Sequence, residues 1–119
     1  MYAAPPEITA DIFTEIPAAH RAAGRHSDWF FGKDDPNAHS FLEGPAVDRA
    51  GNLWVTDIPF GRLFRIAPDG TWTLGAEYDG EPNGLAFHPD GRAILAGHRR
   101  RLLAVGTATA AAATLLRRG

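Results

Sequence analysis

Two polar residues stand at matching positions of a sequence that repeats itself. The stretch GPAVDRAGNLWVTD (residues 44–57) aligns without a gap with GLAFHPDGRAILAG (residues 84–97), forty residues later. Glu43 comes directly before the first copy, and Asn83 comes directly before the second. A carboxylate and an amide that a repeat brings together can bind a polar ligand. Glu43 and Asn83 are therefore the first candidates for a functional site.

Each copy of the repeat begins with the pattern of a β-hairpin. Apolar and polar residues alternate up to Val47, a turn follows at residues 49–52, and LWVT (residues 53–56) is rich in strand formers. Two more strands are predicted at residues 62–66 and 71–74, with the turn APDG between them. A repeat of about 40 residues built from four short strands is typical of one blade of a β-propeller.

The sequence therefore predicts an all-β fold comprising about two blades of a β-propeller. The first blade runs from residue 43 to 74 and the second from 81 to 116, with a deletion of one residue relative to the first. The strands of Glu43 and Asn83 are innermost and face one central channel. A last strand is expected near Thr114, although the four alanines at residues 110–113 favour a helix when taken alone.

Residues 1–40 are predicted to form a lead and clamp segment, and residues 41–119 to form the two blades. The lead opens with a Pro-rich stretch whose few isoleucines suggest an outer strand. A helical turn is expected at residues 18–23, ended by Gly24. The adjacent aromatic residues Trp29, Phe30 and Phe31 are expected to pack against the first blade.

Composition excludes several classes of function. The 119 residues have a net charge of -2 and one isolated arginine run, so no nucleic-acid partner is expected. The absence of cysteine excludes disulfides, thiol catalysis and Cys-ligated zinc. Neither serine, Ser27 nor Ser40, lies in a nucleophile elbow. No signal peptide or membrane span is predicted, and a cytoplasmic location is expected.

Each candidate residue also has a purely structural interpretation. Glu43 could be a solvated glutamate at a strand end, and Asn83 could serve the Pro-Asn-Gly turn. Thr56 and Asp57 could line the channel, although Asp57 is equally well placed to cap the turn that follows it. The aromatic residues Trp54, Phe64 and Trp72 are predicted to lie in the core because they alternate along strands. His98 is predicted to lie on the surface.

The motifs resemble those of a known superfamily. Its members include senescence marker protein (regucalcin), gluconolactonase and luciferin-regenerating enzyme. The resemblance covers roughly residues 39–105 and is carried by LEGP (42–45), the turn at 48–53, RLFRIAPDG (62–70), EPNGL (81–85) and HPDG (88–91). Members are six-bladed propellers that bind one divalent cation, calcium or zinc among others, on the channel axis and hydrolyse lactones.

The resemblance implies a role for each candidate. Glu43 matches the metal-binding glutamate of the first inner strand, and Asn83 matches an asparagine that contacts substrate beside the metal. Glu81 replaces an arginine that many members carry, so poor activity on strongly anionic lactones is expected. The remaining ligands of the family lie beyond Gly119. We therefore expect an N-terminal portion with an incomplete site and no turnover of its own.

Two functions from different classes follow. The first is a metal-dependent, gluconolactonase-like lactone hydrolase that uses calcium or zinc and a small lactone substrate. The second is a non-catalytic propeller module that binds partners or serves as a scaffold. Under either function we expect no nucleic-acid or membrane partner, and the open faces of the blades favour self-association.

Overall fold

The computed structural model describes residues 1–31, 35–99, 102–106 and 112–116, the last of these as backbone alone. Its strands are β1 (Leu42–Val47), β2 (Leu53–Asp57), β3 (Arg62–Ile66), β4 (Trp72–Glu77), β5 (Pro82–Phe87), β6 (Ala93–Gly97), β7 (Leu102–Val105) and β8 (Ala112–Leu116). They form two four-stranded antiparallel sheets, ordered β1-β2-β3-β4 and β5-β6-β7-β8. Within the described residues, no helix is long and apolar enough to cross a membrane. The predicted all-β fold is confirmed.

Strand register reproduces the sequence repeat. Ala46 pairs with Trp54 in the first sheet, and Ala86 pairs with Ile94 in the second, forty residues later. Leu53 pairs with Ile66, whereas the partner of Ala93 is Val105, one residue earlier than the forty-residue spacing requires. This is the predicted deletion of one residue. The two sheets are therefore structural copies of each other, as successive propeller blades are.

The two sheets pack face to face through an apolar layer. The first sheet contributes Trp54, Leu63 and Ala76, and the second contributes Ala93, Leu95, Leu103 and Val105. Trp54 is only 2% exposed, and its indole Nε1 donates a hydrogen bond to Asp48 at 2.8 Å. The prediction that Trp54 is a core residue is confirmed. Strands β1 and β5 lie side by side at one end of this layer.

The lead covers the other face of the first sheet. Ile16 is buried against Val55, Phe64 and Ile66, and Thr14 Oγ1 accepts a hydrogen bond of 3.0 Å from Trp72 Nε1. Residues 1–17 form no strand, so the predicted outer strand is wrong. The lead contacts the face of the sheet through side chains rather than pairing with its edge, and side-chain contacts impose no strand geometry.

The rest of the lead agrees with the sequence prediction. A 3₁₀ turn at Ala18–His20 is followed by Gly24, which has a φ of +77°. A second 3₁₀ turn, Asp28–Phe30, places Trp29 4.7 Å from Phe41 and Phe30 5.8 Å from Phe60, measured between ring centres. The predicted aromatic clamp against the first blade is therefore present for two of the three residues. Phe31 is 93% exposed.

Candidate functional site

Glu43 and Asn83 lie at or beside irregularities in the pairing of two neighbouring strands. The pairing of β1 with β2 shifts register between Glu43 and Ala46. The pairing of β5 with β6 shifts between Pro82 and Gly84, on either side of Asn83. A β-bulge inserts an extra residue and redirects side chains, and bulges are frequent next to active sites. Asn83 is the extra residue of its bulge, whereas Glu43 still pairs with Thr56 and directly precedes the bulge of β1.

Backbone contacts fix the distance between these two strands. Gly44 has a φ of +56°, and a Cβ at this position would overlap the carbonyl group of Asn83. Thr56 is fully buried, and its hydroxyl lies 3.0 Å from the carbonyl oxygen of Glu43 and 2.9 Å from that of Asn83. The single hydroxyl proton is therefore shared between the carbonyl oxygens of both candidate residues. Thr56 is buried behind the two candidate residues and contacts their backbone, so its side chain does not line a channel.

Asn83 and Glu81 line the same cleft, of about 390 Å³. Its walls include Trp29, Ile58 and His98, and its small residues are Gly84, Ala96 and Gly97. Asn83 is exposed, whereas Glu43 is half-buried on the neighbouring strand β1 and is not among the lining residues. The structure therefore brings the two predicted substrate-binding residues into one cleft. It places the predicted metal ligand beside that cleft.

Contacts with His98 and Arg99 hold the carboxylate of Glu81. Its side chain is only 11% exposed, with Oε2 3.1 Å from His98 Nδ1 and Oε1 3.3 Å from Arg99 Nε. Arg99 also pairs with Asp28 at 3.1 Å and with Asp79 at 3.4 Å. His98 itself is 89% exposed, which confirms its predicted surface position. Sequence reasoning missed the role of Arg99, because nothing in the sequence indicates which carboxylates an arginine will contact.

A larger polar cleft of about 480 Å³ lies between the lead and the linker that joins the sheets. Arg25 and Arg99 lie on its walls, and Arg25 Nη2 is 2.8 Å from Glu77 Oε1. The side chains of this pair are 49% and 40% exposed. Exposed ion pairs of this kind each contribute little to stability. These contacts hold the lead against the linker and account for the charged residues of this cleft.

Asp57 has a structural role that differs from both interpretations of the sequence. It is fully buried, and it neither lines a channel nor caps the turn at Ile58–Phe60 with its side chain. Its Oδ1 accepts a hydrogen bond of 2.7 Å from the Phe41 amide, and its Oδ2 accepts one of 2.7 Å from Arg62 Nε. Burial raises the pKa of Asp57, against the opposing effects of the Phe41 amide and Arg62.

Arg62 extends this buried pair to the lead. Its guanidinium donates hydrogen bonds to the carbonyl oxygens of His20 at 2.6 Å and His39 at 3.3 Å. It also lies 4.9 Å from the ring centre of Phe64. The sequence predicted only that Arg62 begins a strand. Besides Asp57, its hydrogen-bond partners are backbone carbonyl oxygens of the lead. No sequence pattern predicts such partners.

The donor atoms of Glu43 and Asn83 suit one kind of metal. A carboxylate and an amide oxygen are hard ligands of the type that calcium binds, whereas structural and catalytic zinc sites favour nitrogen and sulfur. Calcium takes six to eight oxygens, so these two side chains could supply only part of a site. In the described parts of the chain, no group of three or more His, Asp or Glu side chains is placed to hold a metal.

Comparison of the chain with models of known protein families finds no match, and comparison with curated proteins finds no similar sequence. Membership in the regucalcin and gluconolactonase superfamily therefore stays a prediction from the motifs. What the structure adds is the geometry of those motifs. The segments LEG (residues 42–44) and PNG (residues 82–84) form the equivalent first residues of β1 and β5.

Proposed function

We propose that the chain contributes two blades to a metal-dependent lactone hydrolase, in which Glu43 binds a divalent cation and Asn83 contacts the substrate. The observation that carries this proposal is the placement of both residues at or directly beside a bulge, on neighbouring strands whose backbones touch. The motif resemblance supports the reaction, and the strand geometry supports the site.

Each of the two residues suits its proposed role chemically. The half-buried position of Glu43 strengthens the attraction between its carboxylate and a cation, because fewer water molecules screen the charge. The amide of Asn83 offers both an acceptor and a donor, which matches the ring and hydroxyl oxygens of a lactone. A bound cation would act as a Lewis acid on the lactone carbonyl. Calcium is the cation that this oxygen donor set favours.

The charges around the cleft favour a neutral lactone over an anionic one. Glu81 lines the cleft beside Asn83, and Asp28 and Asp79 share its partner Arg99. Three carboxylates around one guanidinium leave a local excess of negative charge. Because Arg99 already pairs with all three carboxylates, its single positive charge is offset and attracts an anionic substrate only weakly. The predicted selectivity against anionic lactones therefore rests on this cluster as a whole.

Isothermal titration with calcium tests the proposed site. We expect weak binding of one calcium ion per chain, and we expect Glu43→Gln to weaken it by about tenfold or more, because the carboxylate charge is lost. The matched control is Glu7→Gln, which removes an exposed carboxylate of the lead and should leave binding unchanged. A calcium affinity that is equal in wild type and Glu43→Gln would overturn the proposal.

The reaction is tested separately with a neutral lactone. In the presence of calcium, we expect the lactone to bind the chain. We expect it to be hydrolysed no faster than with calcium alone, because the protein oxygens of this site hold the cation incompletely. Turnover that Glu43→Gln abolishes would instead show that the site is complete. A chain that binds neither calcium nor lactone would favour the alternative function, a non-catalytic propeller module that binds partners.

A further inference from the structure

A tryptophan of the lead lines the cleft that contains Asn83 and Glu81. Trp29 is half-buried and forms part of the cleft wall together with Ile58. It precedes the first copy of the repeat, and the sequence predicts it only as part of the aromatic clamp. The cleft therefore combines polar residues of the second blade with an aromatic residue that belongs to neither blade.

Contacts with the first blade fix the position of Trp29. Its backbone amide donates a hydrogen bond of 3.3 Å to the hydroxyl of Ser27, which in turn donates one of 2.6 Å to the carbonyl oxygen of Pro59. The next residue, Phe30, packs against Phe60 with 5.8 Å between ring centres. A side chain that is held in place before a ligand arrives loses little freedom on binding. Trp29 is therefore a preorganised wall of the cleft.

The contact that makes Trp29 part of the clamp leaves it accessible from the cleft. Its ring centre lies 4.7 Å from that of Phe41, and the two ring planes are inclined by 48°. This contact holds the indole against the start of the first blade. The indole also lines the cleft together with Asn83 of the neighbouring blade. The same side chain thus contacts the first blade and borders the candidate site.

The lining of the cleft suits a small, ring-shaped ligand. Its volume of about 390 Å³ lies near the lower end of the range for ligand pockets. Such pockets combine apolar or aromatic walls with a few polar groups that orient the ligand, and here Trp29 and Ile58 are apolar walls. The flat face of an indole gains more dispersion contacts from a flat ring than from a flexible chain. An open chain also loses more conformational freedom when it is bound.

We propose that Trp29 makes this cleft select a closed lactone ring over an open chain. The ring packs against the indole, while the amide of Asn83 hydrogen-bonds to the ester oxygens. The hydrolysed product is an open-chain hydroxy acid, which loses the packing against Trp29 and is repelled by the carboxylate of Glu81. The kind of ligand rests on the proposed hydrolase function, whereas the preference for a ring rests on Trp29 and requires no bound cation.

The binding of two neutral probes tests the proposal. δ-Valerolactone is a ring, and ethyl propanoate is an open-chain ester with the same numbers of carbon and oxygen atoms. In titrations followed by nuclear magnetic resonance, with and without calcium, we expect the lactone to bind about fivefold more tightly than the open ester. Trp29→Leu should weaken lactone binding by about the same factor and abolish the preference. Trp29→Phe keeps a flat ring and should retain most of the preference.

The matched control for these variants is Trp72→Phe. It removes the hydrogen bond from Trp72 to Thr14 and so loosens the lead, but Trp72 does not line the cleft. We expect Trp72→Phe to leave the preference for the lactone unchanged. In wild type, nuclear Overhauser effects between the lactone and the indole protons of Trp29 should be observed, and this measurement depends on no substitution.

Three results on ring selection would overturn the proposal: equal binding of the two probes, binding of neither, or a preference that Trp29→Leu leaves unchanged. Overhauser effects to other aromatic rings but not to Trp29 would also overturn it. An equal loss of preference in Trp72→Phe would do the same, because the effect would then come from the anchorage of the lead. A preference that persists in a wild-type chain that binds no calcium would support the role of Trp29 and contradict the proposed hydrolase alone.

Discussion

At the scale of the residue, a few buried polar side chains fix the positions of the segments of this structure. Arg62 and Asp57 form an ion pair with side chains 7% and 0% exposed, and Arg62 reaches two carbonyl groups of the lead. Replacing only one partner of such a pair leaves an uncompensated buried charge, which is strongly destabilising. The pair therefore specifies where the lead lies on the first sheet, in addition to any stability that it contributes.

Asp48 organises the turn between β1 and β2 in a similar way. It accepts hydrogen bonds from the backbone amides of Ala50 and Asn52, the side-chain amide of Asn52 and the indole of Trp54. Partial burial acts to raise the pKa of Asp48, but these hydrogen bonds outweigh it and hold the pKa below its ordinary value of 3.8. The ionised carboxylate is therefore the form that stabilises the fold.

This shift gives a prediction about pH. Because the folded pKa is lowered, the contribution of Asp48 is fully present above pH 3.8 and is lost as the pH falls through the folded value. We expect Asp48→Asn to lower the free energy of unfolding by about 1–3 kcal/mol at pH 7, since two donors lose their acceptor. The difference from wild type should shrink in urea titrations below pH 3.8. The exposed control Asp11→Asn should differ from wild type at neither pH, and a difference for Asp48→Asn that does not change with pH would contradict the account.

The role of a residue could be predicted where its burial follows from the alternation of apolar residues along a strand. It could not be predicted where its hydrogen-bond partners are backbone groups of another segment of the chain. The core position of Trp54 follows from its place in a strand-forming run. The pairing of Asp57 with Arg62 does not, because Asp57 next to a proline-containing turn is typical of a cap. The cover that the lead provides decides between these roles, and the sequence does not indicate where the lead will lie.

At the scale of the elements, the forty-residue repeat is the feature of the sequence that best predicts the strands. It predicted the four strands of each sheet, and it predicted β8 despite the four alanines at residues 110–113, because pairing with β7 outweighs intrinsic helix propensity. It could not predict that residues 1–17 lie across a sheet face. That arrangement depends on Ile16 and Thr14 finding tertiary partners.

The contact between β1 and β5 can be tested with two matched glycines. Gly44 and Gly84 occupy the same position of the repeat, but a Cβ on Gly44 would overlap the Asn83 carbonyl, whereas one on Gly84 would lie 3.7 Å from Ala96 Cβ. We expect Gly44→Ala to lower the free energy of unfolding by about 1–3 kcal/mol, through overpacking and its positive φ. Gly84→Ala should change it by less than about 1 kcal/mol. Equal losses in urea titrations of the two variants would show that the two inner strands are not in contact at Gly44.

At the scale of the whole molecule, the two sheets contact each other through different faces of the repeat. The first sheet is covered on one face by the lead and on the other by the second sheet. Ile94, which matches Trp54 in the repeat, is only half-buried, whereas Trp54 is buried between the sheets. The second sheet therefore presents toward solvent the face through which the first sheet binds its neighbour. Repetition of one packing face along a chain is what builds a propeller.

The central claim is that Glu43 binds a cation beside the substrate-binding residue Asn83. It can be tested by nuclear magnetic resonance with Mn²⁺, a paramagnetic ion that accepts the same oxygen ligands as calcium. The sequence contains three asparagines, so the side-chain amides of Asn37 and Asn52 serve as internal controls for that of Asn83. We predict that substoichiometric Mn²⁺ broadens the Asn83 side-chain resonance first in wild type, and that Glu43→Gln abolishes this selectivity. Equal broadening of all three amides in wild type, or selective broadening of Asn83 that survives Glu43→Gln, would contradict the claim.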